Sequence, residues 1–435
     1  MHLPENVVFC IERLENAGFP TYAVGGCVRD ACLGLQPHDY DLCTAATPDN
    51  TAAVFSDFSL VRAGEKHGTI GVVLEGEVIE ITTFRTEGAY LDNRHPEWVT
   101  FVPNIEQDLA RRDFTVNAMA YSPYRGFADP FGGREDLKNG SLRAVGDPTL
   151  RFTEDALRIL RGVRFAARYS LTPEPGTLEA MKKLAPLMDN LARERVFDEL
   201  SKLLLCTSAT HLNTFAPILA QAIPELGSTI GFDQHSHHHT YDVFIHTAFV
   251  VEGVPATLPL RWAALLHDVG KPLCFTLDEQ GQGHFYGHAE KSAEMADAVL
   301  RRLKSPTELR EDAVFLIKKH MTPLHADKKI LRRRLSQYGE KRLNMLLQLQ
   351  KVDFCAKGVT GSTADFAALE SILEEILSES TCLSIKDLAV NGHDLLALGY
   401  TGPAIGQALQ FLLDQVLDDR LPNEKEALVN ALQKS

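Results

Sequence analysis

The 435-residue chain is predicted to be an α+β protein: a small mixed head over residues 1–145, then helices to the C terminus. Three observations carry this. Short strand-like and helical runs alternate as far as residue 145. "TIGVVLEGEVIEITTFRT" reads as two strands joined by a Glu-Gly turn. After Asp147-Pro148 long helical segments take over, with further boundaries near 225 and 358. The length exceeds a single hydrophobic core and calls for two to four domains. The reading divides the chain into 1–145, 146–225, 226–358 and 359–435, with no internal repeat and no low-complexity segment.

In order, "MHLPENVVFCIERLENAG" opens as a charged helix rather than a leader peptide. "TYAVGG" reads as a strand stopped by glycines, and "CVRDACLG" as the helix it enters. Gly25 and Gly26 at that junction let backbone amides approach a phosphate, and a helix N terminus favours anions. Arg29, one turn in, adds a charge-assisted bond to the same phosphates. A glycine pair also serves any ordinary chain reversal.

"PHDYDLCTAATPDN" (37–50) then sets Asp39 and Asp41 one residue apart where a strand is expected. On a strand both would project the same way, about 7 Å apart, and repel each other. A divalent cation between them removes that penalty. The other reading is that the strand ends here and the carboxylates cap the loop. A phosphate cradle one helix and one return strand away favours the metal. Phosphate and Mg²⁺ together suit nucleotidyl transfer, where metal activates the attacking hydroxyl and neutralises the leaving pyrophosphate. Glu80 in "EVIEITTF" is the best placed third carboxylate, or else an outward-facing strand residue.

"QDLARRDFTVNAMAY" leads a helical run with Arg111, Arg112 and Asp113. Arg112 is the choice for neutralising phosphate charge. "ADPFGGREDL" (128–137) reads as a loop and turn closing the head.

The most informative stretch is "GDPTLRFTEDALRILRGVRFAARYS" (146–170). Wound at 100° per residue, Phe152, Ala156, Ile159, Leu160, Val163, Ala166 and Ala167 form one apolar stripe. Arg151, Glu154, Arg158, Arg161, Arg164 and Arg168 fall opposite, with Asp155 at the margin. A solvated arginine face explains the stripe, but not such crowding in an acidic chain. Asp155 and Arg158, as i, i+3 neighbours, present acceptors and donors together. Cytosine and adenine each offer an exocyclic amine beside a ring-nitrogen acceptor. Asp155 would accept from the amine and Arg158 donate to the ring nitrogen. Uracil and guanine place an oxygen against the carboxylate instead.

The totals limit the alternatives. With 44 basic and 58 acidic residues the net charge is −14, which argues against indiscriminate polyanion binding. The eight cysteines occur singly, as free thiols in a reducing cytosol would. No apolar run approaches the roughly 20 residues of a membrane span. A cytoplasmic, soluble protein with no membrane partner is expected.

"VGGCVRD", "DYDLCTAATP", "RRDFTVNAMA", "DPFGGREDL" and "RFTEDALRILRGVRFAAR", followed by "RERVFDELSKLL" (193–204), occur in the order seen in bacterial class II CCA-adding tRNA nucleotidyltransferases, and the chain resembles that family over residues 1–205. The resemblance implies a nucleotidyltransferase-type sheet head followed by helical neck, body and tail. It assigns Asp39 and Asp41 to catalysis and Mg²⁺. It gives Gly25, Gly26, Arg29, Arg112, Asp155, Arg158, Arg161 and Arg164 to the nucleotide. CTP and ATP become the substrates, and the 3′ end and acceptor arm of tRNA the partner, with the tail 359–435 as a tRNA contact. "FRTEGAYLDNRHPEWVTF" (84–101) resembles the loop of full CCA-adding enzymes. An enzyme adding only CC or only A, and a poly(A) polymerase, remain the nearest alternatives.

A second constellation lies in the helical part. "YDVFIHTAFVVEG" carries His246, "LRWAALLHDVGKPLCF" the doublet His267-Asp268, and "LQKVDFCAKG" Asp353. A buried adjacent His-Asp is costly unless paired or metal-bound. "LLHDVGKP" resembles the HD phosphohydrolase superfamily. That implies a divalent metal on His246, His267, Asp268 and Asp353, with His288 and His320 as candidates to bind another. It also implies 2′,3′-cyclic phosphodiesterase or phosphatase activity, unless this HD fold is only structural. An HD phosphohydrolase with a merely nucleotide-binding head is the rival of another class. "HSHHH" (235–239) reads as solvated histidines, and "KKILRRRL" (328–335) as a solvated helix face or an RNA contact.

Overall fold

A computed structural model describes residues 1–88, 99–236, 240–358, 364–379 and 382–433. The chain divides into two compact units, residues 1–227 with 302–304, and residues 228–301 with 305–435.

In the first unit α1 (Glu5–Asn16) buries Val7, Cys10, Ile11 and Leu14 at helical spacing. It leads to β1 (Thr21–Val24), which Gly25 ends at φ +77, and then to α2 (Gly26–Cys32). β2 (Leu42–Thr44) returns antiparallel, pairing Ala23 with Leu42. The Thr47 hydroxyl caps α3 (Pro48–Val54). β3 (Ser59–Val61), β4 (Thr69–Leu74) and β5 (Glu77–Thr83) follow. The expected hairpin is β4–β5, and Glu75 and Gly76 at its tip both have positive φ. That mirror-image turn matches the twist of paired strands.

β6 (Arg85–Glu87) pairs with β7 (Val99–Phe101), and most of the loop between them lies outside the described residues. α4 (Ile105–Ala110), β8 (Ala120–Ser122), β9 (Gly126–Ala128) and α5 (Gly133–Lys138) complete the head. α5 corrects the loop expected in "ADPFGGREDL". The Asp129 carboxylate accepts the N–H groups of Gly133 and Arg134 and starts a helix there. The sheet runs β3-β4-β5-β2-β1-β8-β9. β1 is antiparallel to both neighbours, while β2 runs parallel to β5. Tyr22, Val24, Cys43, Phe84, Leu109 and Ala120 fill one buried cluster.

β10 (Ser141–Leu142) pairs in parallel with β11 (Thr172–Pro173). Six helices complete the unit: α6 (Pro148–Glu154), α7 (Leu157–Tyr169), α8 (Pro175–Leu184), α9 (Arg193–Leu204), α10 (Ala209–Thr214) and α11 (Ala216–Ala222). The single helix expected over 146–170 is broken. Asp155 is extended, at φ −140 and ψ 103, and its carboxylate accepts the Leu157 N–H at 3.0 Å. An aspartate whose side chain bonds to the backbone competes with helix propagation, and this one starts a new helix instead. Asp155 and Arg158 therefore do not share one helical face. The apolar stripe survives the break: Phe152, Ile159, Leu160 and Val163 are buried, and Phe114 packs on Phe152 and Phe165.

The second unit is helical apart from the short pair β12 (Thr276–Leu277) and β13 (Gly283–His284). α12 (Val243–Gly253), α13 (Leu258–Leu266), α14 (His288–Arg302), α15 (Thr307–Lys319), α16 (Lys328–Tyr338) and α17 (Glu340–Cys355) come first. α18 (Ala364–Ser378), α19 (Gly392–Ala397), α20 (Pro403–Leu417) and α21 (Lys425–Gln433) follow, the last three around Leu395, Leu412 and Leu428. "KKILRRRL" is neither a bare solvated face nor an open cationic patch. Lys328 pairs with Glu375 and Glu379, Arg332 with Glu379 and Asp419, and Arg333 with Asp418. Among the described residues no helix is long and apolar enough to cross a membrane.

Candidate active site

Asp39 and Asp41 are not in a strand: they occupy the segment leading into β2 and are open to solvent. The Asp41 carbonyl accepts the Val24 N–H at 3.0 Å, so the backbone is already docked on β1, while the cleft walls displace part of the water around the Asp41 carboxylate. The parallel pairing of Leu42 with Ile81, carried one residue back, sets Asp41 beside Glu80. Lost hydration pushes the Asp41 carboxyl above its usual range. Arg112 opposes that push, and Glu80 and Asp39 add to it. The mutual repulsion of these carboxylates is what a divalent cation would relieve, although the three are not drawn together closely enough here to share one ion. Asp39, Asp41 and Glu80 line one cleft, of about 750 Å³.

Asp41 also borders a second cleft of about 370 Å³, with Gly25, Gly26, Arg29, Arg112, Asp155, Arg158 and Arg161. The glycine turn is required there, because a Cβ on Gly25 would lie 3.0 Å from Arg112 Nη1 at a backbone angle that L residues avoid. Arg112 is held by Asp108, which is fully buried and also accepts from Arg111 and the Arg85 N–H. Burial pushes the Asp108 carboxyl up, but Arg111 and Arg112 outweigh it and its pKa ends below the usual range. Arg29 is buried and spends its donors on Asp30, Asn117 and the Tyr169 hydroxyl. It joins α2 to the end of α7 as well as bordering the cleft.

Asp155 and Arg158 meet the cleft by separate routes. Asp155 Oδ2 accepts from Arg195 Nη2 at 2.9 Å, while Oδ1 caps α7. Arg158 Nη1 donates to Glu154 at 2.7 Å and Nη2 to the Arg111 carbonyl at 3.0 Å. Each carboxylate oxygen of Asp155 keeps acceptor capacity, and Arg158 has five donors in all. Arg161 pairs with Asp113 at 2.7 Å. Burial raises the Asp113 carboxyl, but Arg161 overrides it and takes the pKa down to about 2. Arg164 is not brought to the cleft. It pairs with Glu199 at 2.6 Å and lies over the Phe165 ring. Arg151, Arg158, Arg161 and Arg164 are thus neutralised within the unit, and Arg168 alone of that face is exposed. Arg195 went unassigned in "RERVFDELSKLL", because nothing local signals a partner forty positions away. Asp113 and Asn117 were visible in their motif but carried no role.

The second constellation is brought together in the second unit. His246 on α12, His267 and Asp268 after α13, His288 on α14, His320 after α15 and Asp353 on α17 are all buried. His246 Nε2 lies 2.9 Å from Asp353, and His267 Nε2 3.2 Å from Asp268. His288 Nε2 is 3.4 Å from Asp268 and 3.2 Å from His320 Nε2. Two groups, His246-His267-Asp268 and Asp268-His288-His320, each bring their ligand atoms together closely enough for one ion. Lys271 Nζ reaches Asp268 at 2.7 Å and Gln234 at 2.8 Å. Of "HSHHH", residues 237–239 lie outside the described residues.

The backbone fixes these imidazoles. The Nδ1 atoms of His246, His267, His288 and His320 each face a carbonyl, of Ala356, Ala264, Phe285 and Ile317 respectively. A carbonyl only accepts, so each Nδ1 carries a proton; Nε2 of His246 and His267 faces the Asp353 and Asp268 carboxylates, while Nε2 of the neutral His288 and His320 presents a lone pair. Two such lone pairs 3.2 Å apart on His288 and His320 repel each other unless a cation or a proton lies between them. The donor set fits divalent metal.

Comparison with known proteins places both units. The Poly A polymerase head domain family matches residues 21–143, and the probable RNA and SrmB-binding site of polymerase A family matches 170–213. A putative tRNA nucleotidyltransferase domain 2 family matches 279–432. The CCA-adding enzyme of Streptococcus suis is 33% identical, covering 96% of this chain and 94% of its own. That of Levilactobacillus brevis is 34% identical, covering 99% and 98%. The structure is similar to the Bacillus stearothermophilus CCA-adding enzyme in complex with CTP, with a TM-score of 0.72 and 28% identity over 100% and 98% of the two chains. With the carboxylate cleft and the glycine-arginine cleft meeting at Asp41, and with relatives of this identity over almost the whole length, the chain belongs to the CCA-adding enzymes, a family of tRNA nucleotidyltransferases.

Proposed function

We propose that the protein adds CMP and AMP, without a nucleic-acid template, to the 3′ end of tRNA, drawing them from CTP and ATP. One observation carries this: Asp41 lies at the junction of the carboxylate cleft and the cleft holding Gly25, Arg112, Asp155 and Arg158. The nucleotide lies with its phosphates along the Gly25-Gly26 turn and Arg112, so that the α-phosphate faces the carboxylates. Asp39 and Asp41 hold Mg²⁺, which when bound supplies activation of the tRNA 3′-hydroxyl and charge neutralisation on the leaving pyrophosphate. Arg112 takes up phosphate charge, and Asp108 keeps it aimed. Asp155, steadied by Arg195, accepts from the exocyclic amine of cytosine or adenine while Arg158 donates to the ring nitrogen. Arg29, Arg161 and Arg164 support this arrangement through the pairs they make. We assign residues 1–145 to the head, 146–225 to the neck, 226–358 to an HD domain and 359–435 to a tail that contacts tRNA. The free cysteines support a cytoplasmic setting.

An end-labelled tRNA lacking its terminus, offered CTP and ATP separately and together, tests the reading. Addition of C, C and A in order is expected. A-only, CC-only or long A products would replace it with the partial enzymes or a poly(A) polymerase.

A second reading, hydrolysis of 2′,3′-cyclic or 3′-phosphate ends, is favoured by the carbonyl-locked histidines. His246, His267, Asp268 and Asp353, with His288 and His320, would hold the divalent metal that polarises the phosphate ester. Release of phosphate from such ends with Mg²⁺, Mn²⁺ or Ni²⁺ tests it, and no release with any of them would leave the cluster structural.

A further inference from the structure

Beside the histidine-aspartate cluster the chain builds an aromatic slab. Tyr286, 79% exposed, stacks on His284 with ring centroids 5.3 Å apart and an interplanar angle of 8°. Its hydroxyl lies 3.4 Å from His284 Nδ1, and His284 Nε2 lies 2.9 Å from Asp278. Asp278 also accepts the N–H groups of Gln280 and Gln282, which stiffens the β12–β13 turn. The rings are therefore held from behind, and the outer face of Tyr286 is uncovered. The residue between Tyr286 and the cluster is Gly287. Phe285 turns the opposite way: its carbonyl accepts from His288 Nδ1, and its ring lies under Lys271 Nζ at 5.3 Å.

Resting on the hydrolytic reading above, we infer that Tyr286 is a nucleobase platform, so that the cluster takes a nucleoside phosphate rather than a base-free phosphate ester. An isolated exposed tyrosine is ordinary on a protein surface. This one lies parallel to a second, anchored ring, two residues from a set of side chains able to hold a metal. A flat face backed by another π system is what a base stacks on, and such stacking tolerates any base. The nucleoside phosphate comes either free or as the 3′ end of an RNA.

The full chain is loaded with Mn²⁺, and its metal content is measured for wild type, Tyr286→Ala and Tyr286→Trp. Because Trp98 and Trp262 also fluoresce, the indole of Tyr286→Trp is read as the difference between its quenching and that of wild type under the same additions. Saturable quenching by 3′-AMP, reversed by inorganic phosphate, is expected. In Tyr286→Ala the KM for 3′-AMP should rise about 10-fold, with that for β-glycerophosphate unchanged. Quenching by 3′-AMP supports free nucleotides. Quenching only by an oligonucleotide with a 3′-phosphate supports an RNA end. No quenching by either in metal-loaded protein, or an unchanged KM ratio, overturns the platform and leaves the metal site standing. Wild-type protein that binds no metal overturns the hydrolytic reading and the platform with it.

Discussion

Asp41 sits among like charges without a buried partner of its own, and its carboxyl is raised by lost hydration and by Glu80 and Asp39. Its charge is a burden on the fold and an asset to a cation. Asp41→Asn should therefore abolish CMP and AMP addition alike while leaving the thermal midpoint no lower than wild type, as end-labelled tRNA assays and a melt would show. Asp155 is the opposite kind of residue, with one oxygen capping α7 and the other held by Arg195. Asp155→Asn keeps an acceptor and adds donors, so selection against UMP and GMP should fall by roughly 10-fold or more. Arg195→Ala should do the same by freeing the carboxylate. Equal loss of all four nucleotides in both variants would reduce Asp155 to a cap. The motif singled out Asp155 by residue type, but the i, i+3 spacing to Arg158 misled, because the helix breaks at Asp155. Its anchor was not legible, because an ion pair between residues forty apart leaves no periodicity.

At the scale of elements, α7 is fastened to the head through Asp113. Arg161 lowers that buried carboxyl to about 2 against an ordinary 3.8, and the pair spans 2.7 Å. A depressed acid contributes stability that is complete above its unfolded pKa and is lost as pH falls through the folded one. Asp113→Asn should thus cost about 2 kcal/mol at pH 7. Its difference from wild type should shrink between about pH 4 and 2, which denaturant titrations at stepped pH would record. Gly162, midway along α7, marks the packing: an added Cβ would come within 2.8 Å of the Phe114 ring. Gly162→Ala should destabilise by about 1–3 kcal/mol through overpacking, despite its better helix propensity. The β4–β5 hairpin and the strand entering α2 could be read from alternation and glycines, since both are decided within a few residues. The break at Asp155 could not, because propensity alone let the helix run through it.

Across the whole molecule, the two candidate sites belong to different units, and no residue serves both. His267→Ala should leave CMP and AMP addition within about twofold of wild type while abolishing metal-dependent release of phosphate. Parallel assays on one preparation would separate the activities, and a joint loss would show that the cluster supports the fold. The six residues of that cluster were legible because each stands in a distinctive motif, even though five helices deliver them. The fate of the α16 cations was not. Their acidic partners are Glu375 on α18, Glu379 just past its end, Asp418 and Asp419, and only the folded chain shows these pairs.

The carbonyl locks on the four imidazoles have a further consequence. Oxygen is the only donor offered by Asp39, Asp41 and Glu80, a hard set that suits magnesium. Four nitrogens and two carboxylates make the other set distinctly softer, and it favours transition metals in the Irving–Williams sense. One polypeptide would then sort two ions by donor hardness alone, without either site needing to exclude the other's metal by size. Depleting transition metals with a chelator that spares magnesium should silence the histidine cluster while tRNA end synthesis continues. Elemental analysis of the same sample would show the transition metal gone and magnesium retained.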